Sequence, residues 1–263
     1  MKVARFCLVL AFVFNITLII TGNISAELDK ATLAGAWLFD ENDGDIAKDS
    51  SGNGNNGTLT KNPKWVEGKF GSALEFDGTN GVEIANPENF EFLDWTYVLW
   101  FRAAAGGDYP NLIGRQFGNN HGWTIHLDPA GMTFRIRIDT DGSINQVKTV
   151  PKAVRDEEWH HGAITHNDGD KTLEMYIDGV KGDATYSGDY KNSGGFLKIA
   201  SPAVGAVNLN GGAIDEVGIF NTLLEEEDIL NIMENGLDGA MGILPVSPAG
   251  RLTDTWGRIK RDN

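Results

Sequence analysis

Short apolar segments recur about every ten to fifteen residues along the chain after Leu33. In one of them Phe134 and Ile136 alternate with Arg135 and Arg137, the two-residue period of a strand that is buried on one face. The pattern predicts strands at residues 34–39, 73–76, 82–84, 95–102, 112–115, 123–127, 132–138, 144–150, 159–165, 172–177, 196–200 and 213–220.

The segments between these strands are rich in residues that favour tight turns. The chain has 33 glycines, and several follow Asp or Asn, as in Asp77-Gly78, Asp141-Gly142 and Asp178-Gly179. Such pairs tolerate the positive φ angles of hairpin turns. Long helical segments between the strands are missing, so a parallel α/β sheet is not expected. We therefore predict an all-β, two-sheet antiparallel sandwich.

One helix is predicted near the end of the sandwich. Thr222 is its expected N-cap, with Glu225 three residues later in a capping-box arrangement. Ile229 and Ile232 form its apolar face, and Gly236 is expected to end it. This pattern is typical of a short surface helix packed on the sandwich.

The two ends of the chain differ in character from the middle. Lys2 and Arg5 precede an apolar stretch at residues 6–20, and small polar residues follow as far as Ala26, a pattern typical of a secretory signal peptide. An uncleaved anchor is the alternative, but the apolar stretch is shorter than the roughly 20 residues of a membrane span. We expect a secreted, cell-surface or periplasmic protein with no membrane span after cleavage. The predicted parts are a signal peptide at 1–26, one domain at 27–237 and a C-terminal tail at 238–263.

Charge and cysteine content narrow the possible functions. The formal net charge is −15, and removal of Lys2 and Arg5 with the signal would make it −17. Such an acidic surface repels nucleic acids and anionic membranes and attracts cations. Cys7 is the only cysteine and lies within the predicted signal, so disulfides and cysteine-based metal sites are not expected in the mature protein.

Seven sequence blocks stand in a characteristic order along the chain. They are AWLFDE at 36–41, DSSGNGNNGT at 49–58, GKFGSALEFDG at 68–78, WTYVLWFR at 95–102, WHH at 159–161, YIDG at 176–179 and IDEV at 214–217. In these blocks and their order the chain resembles laminin-G-like jelly-roll domains of the concanavalin A-like lectin and glucanase superfamily over residues 30–237, and the resemblance implies a jelly-roll sandwich. The fold hosts lectins, adhesion modules and glycosidases, so the resemblance alone does not choose among them.

Related glucanases carry two glutamates around an aspartate on one strand, spaced as Glu-x-Asp-x-x-Glu, because cleavage of a glycosidic bond needs two carboxyl groups. Here Ala213 and Gly218 occupy the positions of the two glutamates. Asp215 and Glu216 are adjacent, so strand alternation predicts that they face opposite sides of the sheet. We therefore expect a protein that is not an enzyme. Hydrolysis by another carboxylate pair is the alternative.

Calcium is the cofactor that the resemblance implies. In related folds a structural calcium ion joins the start of the chain to its last core strand, and the matching positions here are Asp40 and Asp215. Asp77, in the Phe-Asp-Gly turn, is a third candidate ligand. Carboxylate oxygens are the ligands that Ca²⁺ prefers. The alternative is that all three aspartates organise turns.

Two further predictions concern surface side chains. An exposed aromatic ring with polar neighbours could bind a sugar, and the candidate ligand-binding residues are Tyr109, His121, Trp123, Arg135 and Arg137. Of His160 and His161, one is expected to be packed and the other exposed, and His126 is expected on a strand surface. The predicted function is a binding module for carbohydrate or an extracellular protein. The alternatives are a glucanase-type enzyme and a structural surface or envelope protein.

Overall fold

The computed structural model describes residues 28–106, 110–117, 121–127, 133–140, 143–151, 153–185, 194–201 and 208–243. They form two eight-stranded antiparallel sheets, which we call sheet A and sheet B, and one α-helix. This confirms the predicted all-β jelly-roll sandwich with a C-terminal helix. The predicted signal peptide and most of the predicted tail lie outside the described residues.

Sheet A contains the first and the last strands of the chain. Its strand order is β14-β13-β12-β7-β16-β5-β4, and β1 also pairs with β16. The strands, numbered in chain order, are β1 (Leu33–Trp37), β4 (Lys64–Glu67), β5 (Ser72–Asp77), β7 (Trp95–Ala103), β12 (Trp159–Asn167), β13 (Thr172–Ile177), β14 (Val180–Thr185) and β16 (Asn210–Phe220).

Sheet B has the order β11-β10-β9-β8-β15-β6-β3-β2. Its strands are β2 (Ile46–Ala47), β3 (Gly57–Thr60), β6 (Gly81–Ile84), β8 (Asn111–Phe117), β9 (His121–Leu127), β10 (Thr133–Thr140), β11 (Ser143–Pro151) and β15 (Phe196–Ile199). The strands that the sequence pattern did not predict are β2, β3, β4 and β14. They are short, or carry charged and small residues such as the Lys-Trp-Val-Glu of β4, so no apolar alternation marks them.

The core lies between the two sheets and is rich in aromatic rings. Tyr97, Leu99 and Phe101 of β7 alternate with outward-facing residues and are buried in it. Trp123 of sheet B stacks on Trp95 of sheet A with ring centroids 5.7 Å apart. Each such ring removes about 150–250 Å² from water, so these contacts hold the two sheets face to face.

The loop that joins β2 to β3 contains the Asp-Ser-Ser-Gly-Asn block and lies against β1. Asp49 accepts hydrogen bonds from the backbone nitrogens of Ala36, Ser51 and Asn55 at 2.9–3.0 Å. The Nδ2 group of Asn53 donates to the carbonyl of Leu33 at 2.9 Å. β1 pairs with β16 on one side, so these polar side chains satisfy backbone groups of β1 on its other side.

The helix, α1 (Glu226–Met241), begins at a different cap from the predicted one. Its N-cap is Glu225, which makes no side-chain capping bond, so the predicted Thr222 cap is wrong. Gly236, with a non-helical φ of 73°, kinks the element and ends its first helical segment, as predicted. A second segment continues as far as Met241, which is buried in a second apolar cluster on the outside of sheet A. Within the described part of the chain, no helix is long and apolar enough to cross a membrane.

Candidate functional site

The outer face of sheet B carries a set of polar side chains beside an exposed aromatic ring. Leu197 and Ile199 of β15, like Ile125 of β9, point into the core, so the residues between them face outward. Residues directly opposite in an antiparallel pair share a face. The register brings Lys198, Gly114 and Thr124 into one row and places Asn111 opposite His126 on the same outer face.

Phe196 is the exposed ring on this face. It is 56% exposed, and the Nζ atom of Lys198 lies 5.2 Å from its ring centroid. Lys198 also forms an ion pair with Glu83 of the neighbouring strand at 3.1 Å. An apolar ring held open to solvent beside a cation is a platform on which a sugar ring can stack. The sequence pattern identified the strand but not this residue, because a single Phe at a strand end carries no signal of its exposure.

Next to this platform, three polar side chains are buried on the outer face. Asn111, Thr124 and His126 are 0%, 3% and 5% exposed, and the Oγ1 of Thr124 lies 3.2 Å from the Nδ1 of His126. Gly114 allows this packing, because a Cβ there would lie 2.9 Å from the Cγ2 of Thr124. The Nδ2 of Asn111 donates to the carbonyl of Ser201, but its Oδ1 is buried without a hydrogen-bond partner.

The predicted ligand-binding residues have different outcomes. The backbone register pairs Arg135 with His126 and Arg137 with Thr124, and their side chains lie outside what the structure describes. His121 pairs with Phe117 at the start of β9, and Tyr109 lies outside the described residues. Trp123 is 1% exposed and packs against Trp95 and Tyr97. The prediction that Trp123 binds a ligand is therefore corrected, because its ring belongs to the core and offers no surface for stacking.

The histidines are more buried than expected. His160 is 7% exposed and His161 is fully buried, so the expectation that one of the two is exposed is wrong. The Nδ1 of His160 lies 2.7 Å from Asp178 and its Nε2 lies 3.0 Å from Asp156. The hydrogen bond to Asp178 raises the pKa of His160, and Asp156 adds to the effect. Burial lowers the pKa of His161 to about 4.

Two of the three predicted calcium ligands meet at one loop. The Oδ1 of Asp40, just after β1, accepts a hydrogen bond from the nitrogen of Ser72 at 2.9 Å. The Oδ2 of Asp215, on β16, accepts one from the nitrogen of Phe70 at 3.0 Å. Both carboxylates therefore hold the turn that joins β4 to β5, and their charges interact.

Asp215 is the more unusual of the two. It is fully buried, and its Oδ1 has no hydrogen-bond partner. Burial raises the pKa of Asp215 well above its usual range, and the neighbouring charges of Glu216 and Asp40 raise it further. A buried carboxylate beside other carboxylates is stabilised by a proton or by a cation.

Asp77 lies apart from this pair. It is about four residues along β5 from the level of Asp215, or roughly 13 Å. Its Oδ1 accepts from the nitrogen and the hydroxyl of Thr79, both at 2.9 Å, so it organises its own turn. One ion cannot contact all three predicted ligands. Over the described ranges, no group of three or more His, Cys, Asp or Glu side chains is arranged to hold a metal.

Strand alternation predicts that Asp215 and Glu216 face opposite sides of the sheet, but in the structure they do not. The register against β7 shifts between Asp215 and Gly218, and Glu216 has a φ of 52°, which marks a β-bulge. The bulge turns Glu216 toward α1, where its Oε2 accepts a 2.5 Å hydrogen bond from the nitrogen of Leu237. Burial raises the pKa of Glu216 to about 8. Because both residues are at most 2% exposed, neither carboxyl can reach a glycosidic bond at the surface.

The two sheets, the jelly-roll order and the sequence blocks agree with a family comparison. A family model described as the concanavalin A-like lectin/glucanases superfamily matches residues 76–230, more than half of the chain. This chain belongs to the concanavalin A-like lectin and glucanase superfamily. The comparison with curated proteins gives no match.

Several solved structures resemble the chain in fold at low sequence identity. The binding domain of Paraclostridial Mosquitocidal Protein 1 aligns with a TM-score of 0.62 and 20% identity, over 78% of this chain and 52% of that one. Domain 4 of AbnA, an extracellular arabinanase from Geobacillus stearothermophilus, was solved with arabinotriose. It aligns with a TM-score of 0.60 and 19% identity, over 76% of this chain and 98% of that one. The binding domain of Botulinum neurotoxin DC, solved with rat synaptotagmin II, aligns with a TM-score of 0.59 and 15% identity, over 78% of this chain and 52% of that one. The chain thus spans about half the length of the toxin domains it matches.

Proposed function

We propose that this protein is a secreted, non-catalytic module that binds glycans through the outer face of sheet B. The observation that carries the proposal is the exposed Phe196 ring, flanked by Lys198 on the same face. A stacking surface beside fixed polar groups is what a saccharide needs, because each sugar ring presents an apolar face and a rim of hydroxyls.

Two lines of support favour binding over hydrolysis. The carboxyl groups nearest to the glucanase pattern, Asp215 and Glu216, are buried beneath the β4–β5 turn and α1. The similar solved structures are named as binding domains or were solved with a sugar, as in the case of domain 4 of AbnA with arabinotriose. Secretion is supported by the signal-like pattern of residues 1–26.

The test is a glycan array probed with the wild-type protein and two matched variants. Phe196 and Leu93 are almost equally exposed, at 56% and 57%, but only Phe196 lies on the proposed face. We expect Phe196→Ala to weaken glycan binding about tenfold or more, the equivalent of about 1.4 kcal/mol, and Leu93→Ala to leave it unchanged. Equal binding by wild type and Phe196→Ala would overturn the assignment of the face.

We also propose that Asp40 and Asp215 bind a structural calcium ion. The buried, unpartnered Oδ1 of Asp215 and the raised pKa of that carboxyl support a cation at this point. When bound, the ion would supply positive charge that offsets the repulsion among Asp40, Asp215 and Glu216. The two side chains provide only part of the six to eight oxygen ligands typical of calcium, so backbone carbonyls and water would have to complete the set.

A further inference from the structure

A depression of about 330 Å³ includes no residue of the strands that form the proposed glycan face. It is lined by Ala31, Leu33 and Ala34 near the start of β1 and by Asn53, Asn55, Asn89, Asn221 and Phe92. We call it the asparagine depression. Its volume is at the lower end of the range for ligand-binding clefts.

Hydrogen bonds fix the orientation of the amides in the asparagine depression. The Nδ2 of Asn53 donates to the carbonyls of Leu33 and Ala34, at 2.9 and 3.2 Å. The Nδ2 of Asn55 donates to the carbonyl of Ala34 at 3.0 Å, and the Nδ2 of Asn89 donates to the Oδ1 of Asn55 at 2.8 Å. Side chains held in this way do not have to be ordered when a ligand binds, so binding costs less entropy.

The same hydrogen bonds determine what the depression offers. The amide nitrogen of Asn53 donates to two backbone carbonyls and to the Oγ of Ser51, and that of Asn89 donates to Asn55. Among the described residues, the Oδ1 atoms of Asn53 and Asn89 therefore remain as acceptors. Asn221 is exposed, its backbone nitrogen donates to the carbonyl of Thr32, and within the described part of the chain its side chain makes no hydrogen bond. Its amide can therefore both donate and accept.

Phe92 adds an apolar surface to this polar rim. It is half-buried, and its ring packs edge-on against Phe90 at 6.5 Å, so the core fixes its position. The side chains that line the depression carry no charge. A charged ligand would lose hydration there without gaining a counter-charge, whereas a neutral ligand with several hydroxyl groups would find acceptors and a ring face.

We infer that the asparagine depression binds a neutral saccharide, with Asn53 and Asn89 accepting from its hydroxyls and Phe92 contacting its apolar face. This site is separate from the proposed glycan face. It includes no residue of β8, β9 or β15, and it does not depend on the role of Phe196.

The experiment follows the side-chain amide signals of Asn53, Asn55 and Asn89 by ¹⁵N NMR of the full chain. Arabinotriose and cellotriose are the neutral probes, each at roughly 10 mM to detect millimolar affinity, and trigalacturonate is the charged probe. We expect at least one neutral probe to shift the Asn53 and Asn89 signals and trigalacturonate to leave them in place. The inference fails if neither neutral probe moves these signals.

Two variants make the result specific. Asn221→Ala removes an exposed amide that makes no side-chain hydrogen bond with the described residues, and Phe92→Leu keeps an apolar group in place but removes the ring. Each should weaken binding of the neutral probe about tenfold, and Phe196→Ala should not change it. Equal binding by Asn221→Ala, Phe92→Leu and wild type would place the sugar elsewhere. A loss caused by Phe196→Ala alone would assign the probe to sheet B and overturn this inference while supporting the other site.

Discussion

Asp40 and Asp215 hold the β4–β5 turn from two strands that are far apart in sequence. Asp40 accepts from the nitrogen of Ser72 and Asp215 accepts from the nitrogen of Phe70. The turn fits between them because of its glycines: a Cβ on Gly71 would lie 2.0 Å from the Oδ1 of Asp40, and one on Gly68 would lie 2.6 Å from the Oδ2 of Asp215. This explains the Gly-Lys-Phe-Gly block in physical terms.

The calcium proposal predicts a stabilisation that depends on Asp215. A ligand that binds only the folded state at a hundred times its Kd stabilises that state by about 2.7 kcal/mol. For a domain of this size, such a gain corresponds to a rise in Tm of roughly 5–10 °C. We expect calcium to raise Tm relative to a chelator in wild type and in Asp77→Asn, but not in Asp215→Asn. Identical melting curves of the wild type in calcium and in chelator would rule out the site.

Without calcium, the buried carboxyls predict a loss of stability at high pH. Glu216 has a pKa of about 8 in the folded protein, above its ordinary value of 4.5, so its contribution is complete below pH 4.5 and is lost as pH rises through 8. We expect Tm in chelator to fall across this interval, and to fall less in Glu216→Gln, which cannot ionise. A calcium ion competes with protons, so its stabilising effect should increase with pH. Thermal melts at pH 5, 7 and 9 test both trends.

The hydrogen bonds of His160 to Asp178 and Asp156 predict a second pH dependence of stability, which begins above pH 6.5. Asp178 and Asp156 raise the pKa of His160 above 6.5. The interaction of protonated His160 with these aspartates therefore stabilises the folded protein fully below pH 6.5, and this stabilisation is lost as pH rises through the pKa of His160 in the folded protein. The Tm difference between wild type and His160→Gln should be largest near pH 6 and smaller at pH 9. His161 and His166 have pKa values of about 4 and the opposite pH dependence, but they are present in both proteins and their effects cancel. A difference that stays constant with pH would show that His160 acts by packing alone.

Removing a large ring from sheet B should have a large effect on stability at Trp123 and a small one at Phe196. Trp123→Ala should lower the free energy of unfolding by about 3–5 kcal/mol, because it leaves a cavity between Trp95 and Tyr97. Phe196→Ala should change it by less than about 0.5 kcal/mol, because that ring is exposed. Urea unfolding followed by tryptophan fluorescence measures both. A large loss from Phe196→Ala would mean that the ring supports the fold.

The sequence predicts the sandwich well because strand alternation and turn residues are local signals. In the predicted strand at 172–177, the two-residue period puts Leu173, Met175 and Ile177 on one face, and all three are in the core. Exposure is not a local signal: Trp123 and Phe196 both occur in apolar strands, and only the packing of sheet A over sheet B buries one and leaves the other in solvent. A single residue's backbone angle also decided the Asp215–Glu216 arrangement, since the bulge at Glu216 reverses what alternation predicts.

The polar loop over β1 has a consequence for the protein in concentrated solution. Strands with unpaired backbone groups can recruit the same strand from another molecule and begin aggregation. Here the carbonyls of Leu33 and Ala34 are already occupied by Asn53 and Asn55, and the backbone nitrogen of Ala36 is occupied by Asp49. The loop therefore opposes pairing of β1 with a strand of another molecule. Light scattering of Asn53→Ala should show larger particles than wild type under conditions in which the monomer is still folded.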